Sequence, residues 1–446
     1  MLVRSRSETF SLRERARRAI PGGCHTYSKA DHQFPVNAPA FIASGRGCHV
    51  CDVDGEEYLD WGMGLRSVIL GHAYPRVLDA VTMELARGSN FTRPSPIETL
   101  LAEELIELIP CAEMVKLAKN GSDVTTAALR LARAATGRDL VVFPREQPFY
   151  SFDDWFIGTT LLNAGVPDAI TRMSLTVPYG DLGALQALFA THPGGVAAVI
   201  MEAATVAPPP EGYLAAVREL TRREGTVLIF DEIITGFRWD QAGAQAFYGV
   251  TPDLATFGKA IANGFSLAAL VGRRDIMQLG DFDGQRPRVF LLSATHGGET
   301  HAIAAARATI AELRERDAIA HVWRVGAELQ AGLEAAARDA GVCDVVSCSG
   351  YPCSPLLSFD GAGDPDRGDQ LRTLFLQETV ALGVLMPYIA PSLSHGDAEV
   401  QRTVEVAAQA FACIRDVLDD GAPIEAYLKG PAVKPVFPRF NKLEVD

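Results

Sequence analysis

Short apolar segments alternate with amphipathic helical segments through the middle of the chain, and this alternation limits the folds open to it. The apolar segments are rich in Val, Ile, Leu and Phe, as expected of strands that are buried on both faces of a sheet. They lie at 114–118, 140–143, 196–201, 226–230, 253–257 and 268–272, with helical segments at 75–87, 97–108, 122–136 and 211–223. The pattern predicts an α/β fold whose central sheet is mainly parallel and is covered by helices.

The two ends of the chain follow a different pattern. Residues 40–60 predict hairpin strands joined by a turn at 52–55, and Ser11 with Glu14 predicts a capping box that opens a helix. Toward the other end, the sequence predicts helices at 302–315, 318–338 and 398–418 and a strand-rich region at 342–360. We expect residues 1–70 and 305–446 to form a smaller α+β lobe, and residues 71–304 to form a large α/β domain.

Charge and hydropathy exclude several classes of partner. Lys plus Arg number 41 and Asp plus Glu number 55, so the net charge is −14. An acidic surface repels phosphate backbones and anionic lipids, which argues against nucleic-acid and membrane-surface binding. No apolar run reaches the length of a membrane span, and the Arg-rich first twenty residues lack the apolar core of a secretion signal. We expect a cytoplasmic protein.

Eight cysteines in 446 residues are too sparse for a disulfide scaffold. Cys48 and Cys51 form one C-x-x-C pair, but no second pair completes the four ligands that a zinc site needs. The sequence therefore predicts free structural thiols and no metal site.

Polar groups follow four of the predicted strands at the point where each strand ends, which is where ligands bind in open α/β sheets. These groups are Asn120-Gly121-Ser122 after 114–118, Glu202 after 196–201, Asp231 after 226–230, and Gly258-Lys259 after 253–257. Gly121 and Ser122 open a helix and could bind a phosphate, although a plain Ser N-cap is the simpler interpretation. Buried Asp231 predicts a cationic ligand group or an internal ion pair with Arg238.

Two familiar reaction classes do not fit these residues. Gly258-Lys259 resembles the end of a nucleotide-binding P-loop, but Ala260 replaces the required Ser or Thr. The segment 296–299 (His-Gly-Gly-Glu) resembles a lipase oxyanion loop, but no serine lies in a G-x-S-x-G elbow. A phosphate cradle, a buried acid and an amine at one sheet edge instead suit pyridoxal 5'-phosphate, which needs phosphate anchoring, a carboxylate on its ring nitrogen and a lysine.

Several motifs together resemble the class III aminotransferases, which have PLP fold type I. The main match is IlePheAspGluIleIleThrGlyPheArg at 229–238, with Lys259 lying 28 residues after Asp231. Supporting matches are the stretches 52–61, 70–75 and 201–204, and the stretches 21–23 and 295–300 resemble the glutamate-1-semialdehyde aminomutase branch. The resemblance covers nearly the whole chain.

The resemblance implies a role for each matching position. Lys259 would bond to pyridoxal 5'-phosphate and shuttle a proton, and Asp231 would pair with the ring nitrogen. Ile233 would pack on one face of the ring and Tyr150 on the other. Further matches are Asn120, Gly121 and Ser122 at the phosphate, Glu202 near the cofactor, and Thr295, which would reach the phosphate of the neighbouring subunit in a homodimer.

The chain departs from the aminomutase pattern at several places. Tyr150-Ser151-Phe152 replaces the family's Tyr-His-Gly, and the following stretch lacks a Gly/Ser-rich lid. Where the aminomutase carries an arginine for the substrate carboxylate, this chain offers only Lys29, a poorer bidentate partner. Trp61 and Arg66 are further candidate substrate contacts, with core packing and a solvated salt bridge as their alternatives.

Three functions follow from these residues. The leading one is an aminotransferase that moves an amino group from an amino-acid donor to a small-molecule carbonyl acceptor, such as a keto-sugar or another biosynthetic intermediate, in a ping-pong reaction. The runner-up is an intramolecular aminomutase of the glutamate-1-semialdehyde type. The third is a catalytically silent binding protein, against which the presence of both Lys259 and Asp231 argues.

Overall fold

The structure is a computed structural model that describes residues 7–204, 206–282 and 288–434. These residues divide into two compact units. The small unit comprises residues 7–65, 69–74 and 320–434, and the large unit comprises residues 66–68 and the described part of 75–319. The domain bounds expected from the sequence, at residues 70 and 304, stay a prediction.

Within the described residues, the large unit is built on a seven-stranded sheet. Its strands are β4 (Met114–Ala118), β5 (Leu140–Pro144), β6 (Ser174–Val177), β7 (Val196–Met201), β8 (Val227–Glu232), β9 (Leu254–Phe257) and β10 (Ala268–Gly272). Across the sheet their order is β4-β10-β9-β8-β7-β5-β6. Only β10 runs antiparallel to its neighbours. Because it reverses between β4 and β9, those two strands point the same way, and the carboxyl ends of β4, β9, β8 and β7 share one edge.

Helices cover this sheet. They are α3 (Pro75–Leu85), α4 (Pro96–Leu108), α5 (Gly121–Thr136), α6 (Asp154–Ile157), α7 (Asp168–Thr171), α8 (Leu182–Thr191), α9 (Tyr213–Glu224), α10 (Ala244–Tyr248), α11 (Arg274–Met277) and α12 (Thr300–Glu315). All six residues of β7 and of β8 are buried, as predicted by the apolar sequence of β7 and of the first four residues of β8. Helix α5 buries Val124, Ala128 and Leu131 in the same core as Ile200 and Ile229 of these strands. The predicted α/β fold is therefore confirmed.

The small unit has two sheets and its own core. Strands β1 (Ile42–Arg46), β2 (His49–Asp52), β3 (Glu57–Asp60) and β13 (Val384–Leu385) form one sheet, and β11 (Val346–Tyr351) pairs with β12 (Ser354–Phe359). Its helices are α1 (Ser7–Ala19), α14 (Pro365–Ala381), α15 (Asp397–Asp420) and most of α13 (Ala318–Asp339). Phe375 of α14 stacks on Phe411 of α15 with ring centroids 5.1 Å apart.

One local expectation fails, and one strand was not predicted. Helix α1 spans Ser7–Ala19, so Ser11 and Glu14 lie inside it and the predicted capping box is wrong. Strand β6 was not predicted, because a four-residue strand with only its two end residues buried carries little periodic signal. The turn predicted at 52–55 does connect β2 to β3, where Asp52 Oδ1 accepts hydrogen bonds from the backbone N–H groups of Asp54 and Glu56. None of the described helices has the length and apolar character to cross a membrane.

Candidate active site

The predicted chemical groups of the large unit meet at one edge of its sheet. Asp231 pairs with Thr256 in the register of β8 and β9, and Lys259 follows two residues after β9 ends at Phe257. Glu202 directly follows β7, which pairs with β8. Asn120 caps α5 after β4, whose carboxyl end lies at the same edge. The parallel order of these strands therefore brings together residues that are far apart in sequence.

Asp231 is a buried carboxylate whose two oxygens differ. Its Oδ1 accepts hydrogen bonds from the backbone N–H of Ile233 (3.0 Å) and the hydroxyl of Thr256 (3.2 Å). Arg238, the ion-pair partner that the alternative interpretation expected, is therefore not among the groups that donate hydrogen bonds to Asp231. None of the described residues donates to Oδ2. Burial raises the pKa of Asp231 to about 6, against the opposing pull of Lys259 and the two hydrogen bonds. The carboxylate retains one oxygen for a cationic group.

Lys259 opens a short 3-10 turn, Lys259–Ala262, with a left-handed φ of +42° that non-glycine residues rarely adopt. Burial lowers the pKa of its ammonium group, while Asp231 and Glu202 oppose that shift. Among the described residues, no carboxylate oxygen forms an ion pair with Lys259 Nζ within 4.0 Å. A lysine held in this way has an increased neutral fraction, which is the form that acts as a nucleophile and as a base.

Glu202 is held by a residue that the sequence did not indicate. The side chain of Gln147 donates from Nε2 to the carbonyl oxygen of Glu202 (2.8 Å) and accepts at Oε1 from its N–H (2.9 Å). The phenol of Tyr150 also donates to Gln147 Oε1. Burial and then the charge of Asp231 raise the pKa of Glu202 to about 8, while Lys259 and Arg66 lower it. An amide side chain has no acid–base chemistry, so only its three-dimensional contacts identify Gln147.

Tyr150 is 2% exposed and lies in an aromatic cluster. Its ring centroid lies 5.5 Å from that of Phe143 and 5.8 Å from that of Phe156. Burial, followed by the charges of Glu202 and Asp231, raises the pKa of its phenol well above 10, so the phenol stays protonated and donates to Gln147. Contact of this ring with the cofactor stays a prediction.

The start of α5 is organised by Asn120 rather than by a serine cap. Asn120 Oδ1 accepts a hydrogen bond from the N–H of Asp123 (3.0 Å), so Asn120 is the N-cap and Ser122 is the second residue of the helix. The Ser122 hydroxyl accepts from the N–H of Phe152 (3.0 Å) and keeps its own hydrogen to donate. With the positive end of the helix dipole, this geometry suits a phosphate.

Ile233 lies against two glycines that follow sheet strands. A Cβ added at Gly121 would lie 3.2 Å from Ile233 Cδ1, and one added at Gly258 would lie 2.9 Å from the same atom. Both positions therefore need glycine to keep Ile233 where it is. This packing sets Ile233 between the start of α5 and the residue before Lys259, as a side chain that covers one face of a ring would need.

Arg66 follows a turn of unusual handedness. Met63, Gly64, Leu65 and Arg66 all have positive φ, so the single turn α2 (Met63–Arg66) is left-handed. Arg238 Nη2 donates to the carbonyl oxygen of Arg66 at 3.4 Å. The charge of Arg66 lowers the pKa of both Glu202 and Lys259, after the larger effects of burial and the nearer charges. The structure thus brings Arg66 into the electrostatic surroundings of the candidate site.

The two other predicted substrate contacts lie in the small unit. Lys29 ends a 3-10 turn, Tyr27–Lys29, and lines a cavity of about 490 Å³ together with His25 and His72. Trp61 is fully buried, donates from Nε1 to Thr403 Oγ1 (2.8 Å) and stacks on His395 with centroids 4.0 Å apart. Packing accounts for Trp61 as it stands, and substrate contact by either residue stays a prediction.

Thr295 lies on the surface of the large unit, and its carbonyl oxygen accepts a hydrogen bond from Asn90 Nδ2 at 3.1 Å. Its exposure is compatible with the predicted reach into a neighbouring subunit.

All eight cysteines are free thiols. Ligand atoms of Cys48, His49 and Glu399 lie within 4.8 Å of one another, in a group that does not include Cys51. The thiol of Cys48 donates to the carbonyl oxygen of Ser394 (3.1 Å), as a structural thiol would. The predicted absence of a metal site stays a prediction.

Comparison with known proteins agrees with this geometry. The family described as Aminotransferase class-III matches residues 32–385. The chain is 35% identical to the glutamate-1-semialdehyde 2,1-aminomutase of Roseiflexus castenholzii, over 92% of this chain and 98% of that protein. It is also 35% identical to the 3-aminobutyryl-CoA aminotransferase of Cloacimonas acidaminovorans, over 92% and 98%. Among solved structures, the PLP-bound FumI protein of Sphingopyxis sp. MTA144 is 25% identical, with a TM-score of 0.85 over 94% of this chain and 99% of that chain.

The described residues fit pyridoxal 5'-phosphate, the cofactor of this family. Asp231 keeps Oδ2 available for a protonated ring nitrogen, and Lys259 Nζ has no ion-pair partner among the described carboxylates. The start of α5 and the Ser122 hydroxyl suit its phosphate. The fold, these residues and the match over residues 32–385 together show that the chain belongs to the class-III aminotransferases, which are pyridoxal-phosphate-dependent enzymes.

Proposed function

We propose that the chain transfers an amino group from an amino-acid donor to a carbonyl acceptor in two half-reactions. The observation that carries this proposal is that a buried carboxylate with one oxygen available, Asp231, and a buried lysine with a lowered pKa, Lys259, lie at the same sheet edge. The first half-reaction releases a keto acid, and the second delivers the amine to the acceptor. We include keto-sugars among the acceptors because the chain lacks the arginine that the aminomutase carries for the substrate carboxylate and offers only Lys29 as a substitute.

The residues divide the chemistry between them. When bound, pyridoxal phosphate supplies the carbon that takes up the amino group and a ring that spreads negative charge. Lys259 Nζ, in its neutral form, accepts the proton that leaves the substrate Cα and later returns it. Asp231 Oδ2 would keep the ring nitrogen of the cofactor protonated, and the burial of this carboxylate would strengthen that charge interaction. The start of α5 and the Ser122 hydroxyl would hold the phosphate.

The first experiment tests the proton-transfer role of Lys259. We expect Lys259→Ala, loaded with pyridoxal phosphate, to lose both half-reactions, because no other amine replaces Nζ. Lys116→Ala is the matched control, since Lys116 lies exposed in the middle of β4. The keto acid released from a panel of amino donors is the measurement. Turnover by Lys259→Ala at the rate of the control would refute the assignment.

An intramolecular aminomutase is the second candidate function, and the identity to the Roseiflexus castenholzii aminomutase favours it. The two functions differ in stoichiometry. An aminotransferase without acceptor releases one keto acid per site and stops, whereas an aminomutase converts its substrate to an isomer with no separate donor. Incubating the pyridoxamine-phosphate form with keto acids, aldehydes and keto-sugars, and measuring which of them accept the amine, identifies the acceptor class.

We further propose a cytoplasmic homodimer in which Thr295 contributes to the phosphate site of the neighbouring subunit. The exposure of Thr295 supports this arrangement.

A further inference from the structure

Gln147 is a residue of the candidate site without acid–base chemistry, and its carboxamide makes three hydrogen bonds there. It lies three residues after β5 ends at Pro144 and is 1% exposed. Its carboxamide bonds both backbone groups of Glu202, the residue that follows β7. The register between β5 and β7 reaches Val142 and Val199. Beyond that point, the side chain of Gln147 makes the pair of hydrogen bonds that a neighbouring strand would otherwise provide.

The orientation of this amide is fixed by its partners. The N–H of Glu202 can only donate, so Gln147 Oε1 must face it, and Nε2 then faces the carbonyl oxygen of Glu202. The protonated phenol of Tyr150 takes the second acceptor position on Oε1. A reversed amide would set its NH₂ group against the N–H of Glu202. One planar group thus determines the relative positions of Glu202 and Tyr150.

We propose that Gln147 is a positioning residue of the active site, whose carboxamide locks the main chain of Glu202 to the phenol of Tyr150 and so holds both against the cofactor. The inference rests on the proposed function, because the lock affects the reaction by placing groups around Lys259 and Asp231. Glu202 responds to the charges of Lys259, Asp231 and Arg66, so a small shift of its main chain changes the electrostatics of the whole group.

Gln147→Leu tests the lock by removing both hydrogen-bonding ends while keeping a similar volume. The N–H and C=O of Glu202 and the Tyr150 hydroxyl then lose their buried partner. We expect the dissociation constant for pyridoxal phosphate to rise about tenfold or more. We also expect kcat to fall about 10²-fold while KM for the donor stays nearly constant, because misplaced groups impair the reaction more than substrate binding.

Gln147→Glu separates positioning from general packing. A protonated carboxyl group has one donor and one acceptor and can replace the amide, whereas an ionised one cannot donate to the carbonyl oxygen of Glu202. We therefore expect pyridoxal-phosphate affinity and kcat of Gln147→Glu to recover toward wild-type values as the pH is lowered, each compared with wild type at the same pH. Gln147→Leu should show no such recovery.

Gln245→Leu is the matched control. Gln245 is also a 1% exposed glutamine of the large unit, and its Oε1 accepts from the N–H of Cys111 (3.1 Å). This variant should lower the Tm without changing pyridoxal-phosphate affinity.

Three results would overturn the inference: wild-type affinity and kcat in Gln147→Leu, equal loss of affinity in Gln147→Leu and Gln245→Leu, or a defect in Gln147→Glu that lowering the pH does not relieve. Failure of the proposed function would give a different result. Wild-type protein would then react with no amino donor, but the dissociation constants of wild type and the variants for pyridoxal phosphate could still be compared.

Discussion

At the scale of single residues, the proposed chemistry depends on a carboxylate whose two oxygens differ in their hydrogen bonds. Asp231 Oδ1 accepts the hydrogen bonds that orient the group, and Oδ2 is available to the cofactor. The apolar residues before Asp231 made its burial predictable, and the resemblance to the class III aminotransferases implied its joint role with Lys259. The lock formed by Gln147 could not be predicted, because it joins residues 55 positions apart through an uncharged side chain.

We expect Asp231→Asn to reduce kcat by about 10²–10³-fold, the usual effect of removing one preorganised electrostatic group. The amide has similar size and can still accept at one oxygen, but it carries no charge to keep a proton on the ring nitrogen. Steady-state kinetics with the best donor is the measurement. Asp139→Asn, at an exposed aspartate of the same unit, is the control, and equal kcat values for the two variants would contradict the assignment.

The stability of the cofactor-free protein should depend on Glu202. Its pKa is about 8 in the folded protein and about 4.5 in an unfolded chain, so folding retains a proton between these values. The Glu202 contribution to the free energy of unfolding therefore decreases as the pH rises from about 4.5 to 8. We expect Glu202→Gln to lose less stability than wild type between pH 6 and 8, by up to ~3 kcal/mol.

Urea denaturation of both proteins at the two pH values measures this difference. The lowered pKa of Lys259 has the opposite effect in both proteins: its contribution to the free energy of unfolding increases as the pH rises. Because the charges of Glu202 and Lys259 affect each other's pKa, the comparison reports Glu202 together with this coupling. Identical pH dependence of the free energy of unfolding in the two proteins would show that the Glu202 carboxyl group ionises normally.

At the scale of elements, one buried acid joins four elements of the large unit. Asp253, just before β9, accepts a bidentate pair from Arg218 of α9 (2.6 and 2.9 Å) and a third bond from Arg273 after β10 (2.7 Å). The N–H of Leu228 in β8 also donates to it. Burial disfavours its ionised form, but these four donors outweigh burial and lower its pKa.

Asp253→Asn should destabilise the protein by about 1–3 kcal/mol, because the amide can accept at only one oxygen and leaves donors of Arg218 and Arg273 without the charged acceptor. Urea unfolding monitored by circular dichroism is the measurement. Glu219→Gln is the control. Glu219 is an exposed acid on α9, the helix that carries Arg218, and its ion pair with Arg222 should contribute little to the free energy of unfolding. If both variants unfold at the same urea concentration, Asp253 does not join these elements as described.

The elements themselves were largely predictable from the sequence. The bounds of β4, β7 and β10 are those that the apolar runs indicate, because strands buried on both faces need continuous apolar sequence. Direction was not predictable: nothing in Ala268–Gly272 distinguishes an antiparallel strand from a parallel one. That reversal matters to the site, because it returns the end of β4, and with it Asn120, to the edge that carries Lys259.

At the scale of the whole molecule, a shared active site can be tested by mixing two defective chains. Lys259→Ala chains keep Thr295, and Thr295→Ala chains keep Lys259. In a mixed dimer with shared sites, one site carries both defects and the other carries none. We therefore expect mixed dimers to contain one site per dimer with wild-type affinity for pyridoxal phosphate, and wild-type turnover at that site.

Co-expression with two affinity tags isolates the mixed dimer, and cofactor titration measures its affinity. The Thr295→Ala homodimer provides the reference for a weakened phosphate site. If Thr295 acted within its own chain, no site of the mixed dimer would combine both intact residues, and the affinity would stay at that weakened value.

The left-handed turn at Met63–Arg66 has a consequence for chirality. Three of its four residues are not glycine, and each L-residue in this conformation costs roughly 1–2 kcal/mol relative to a right-handed turn. A D-amino acid at any of these three positions would not carry this conformational cost. Along this short stretch the mirror-image amino acid is the favoured one, so the chain gives up stability there to deliver the guanidinium group of Arg66.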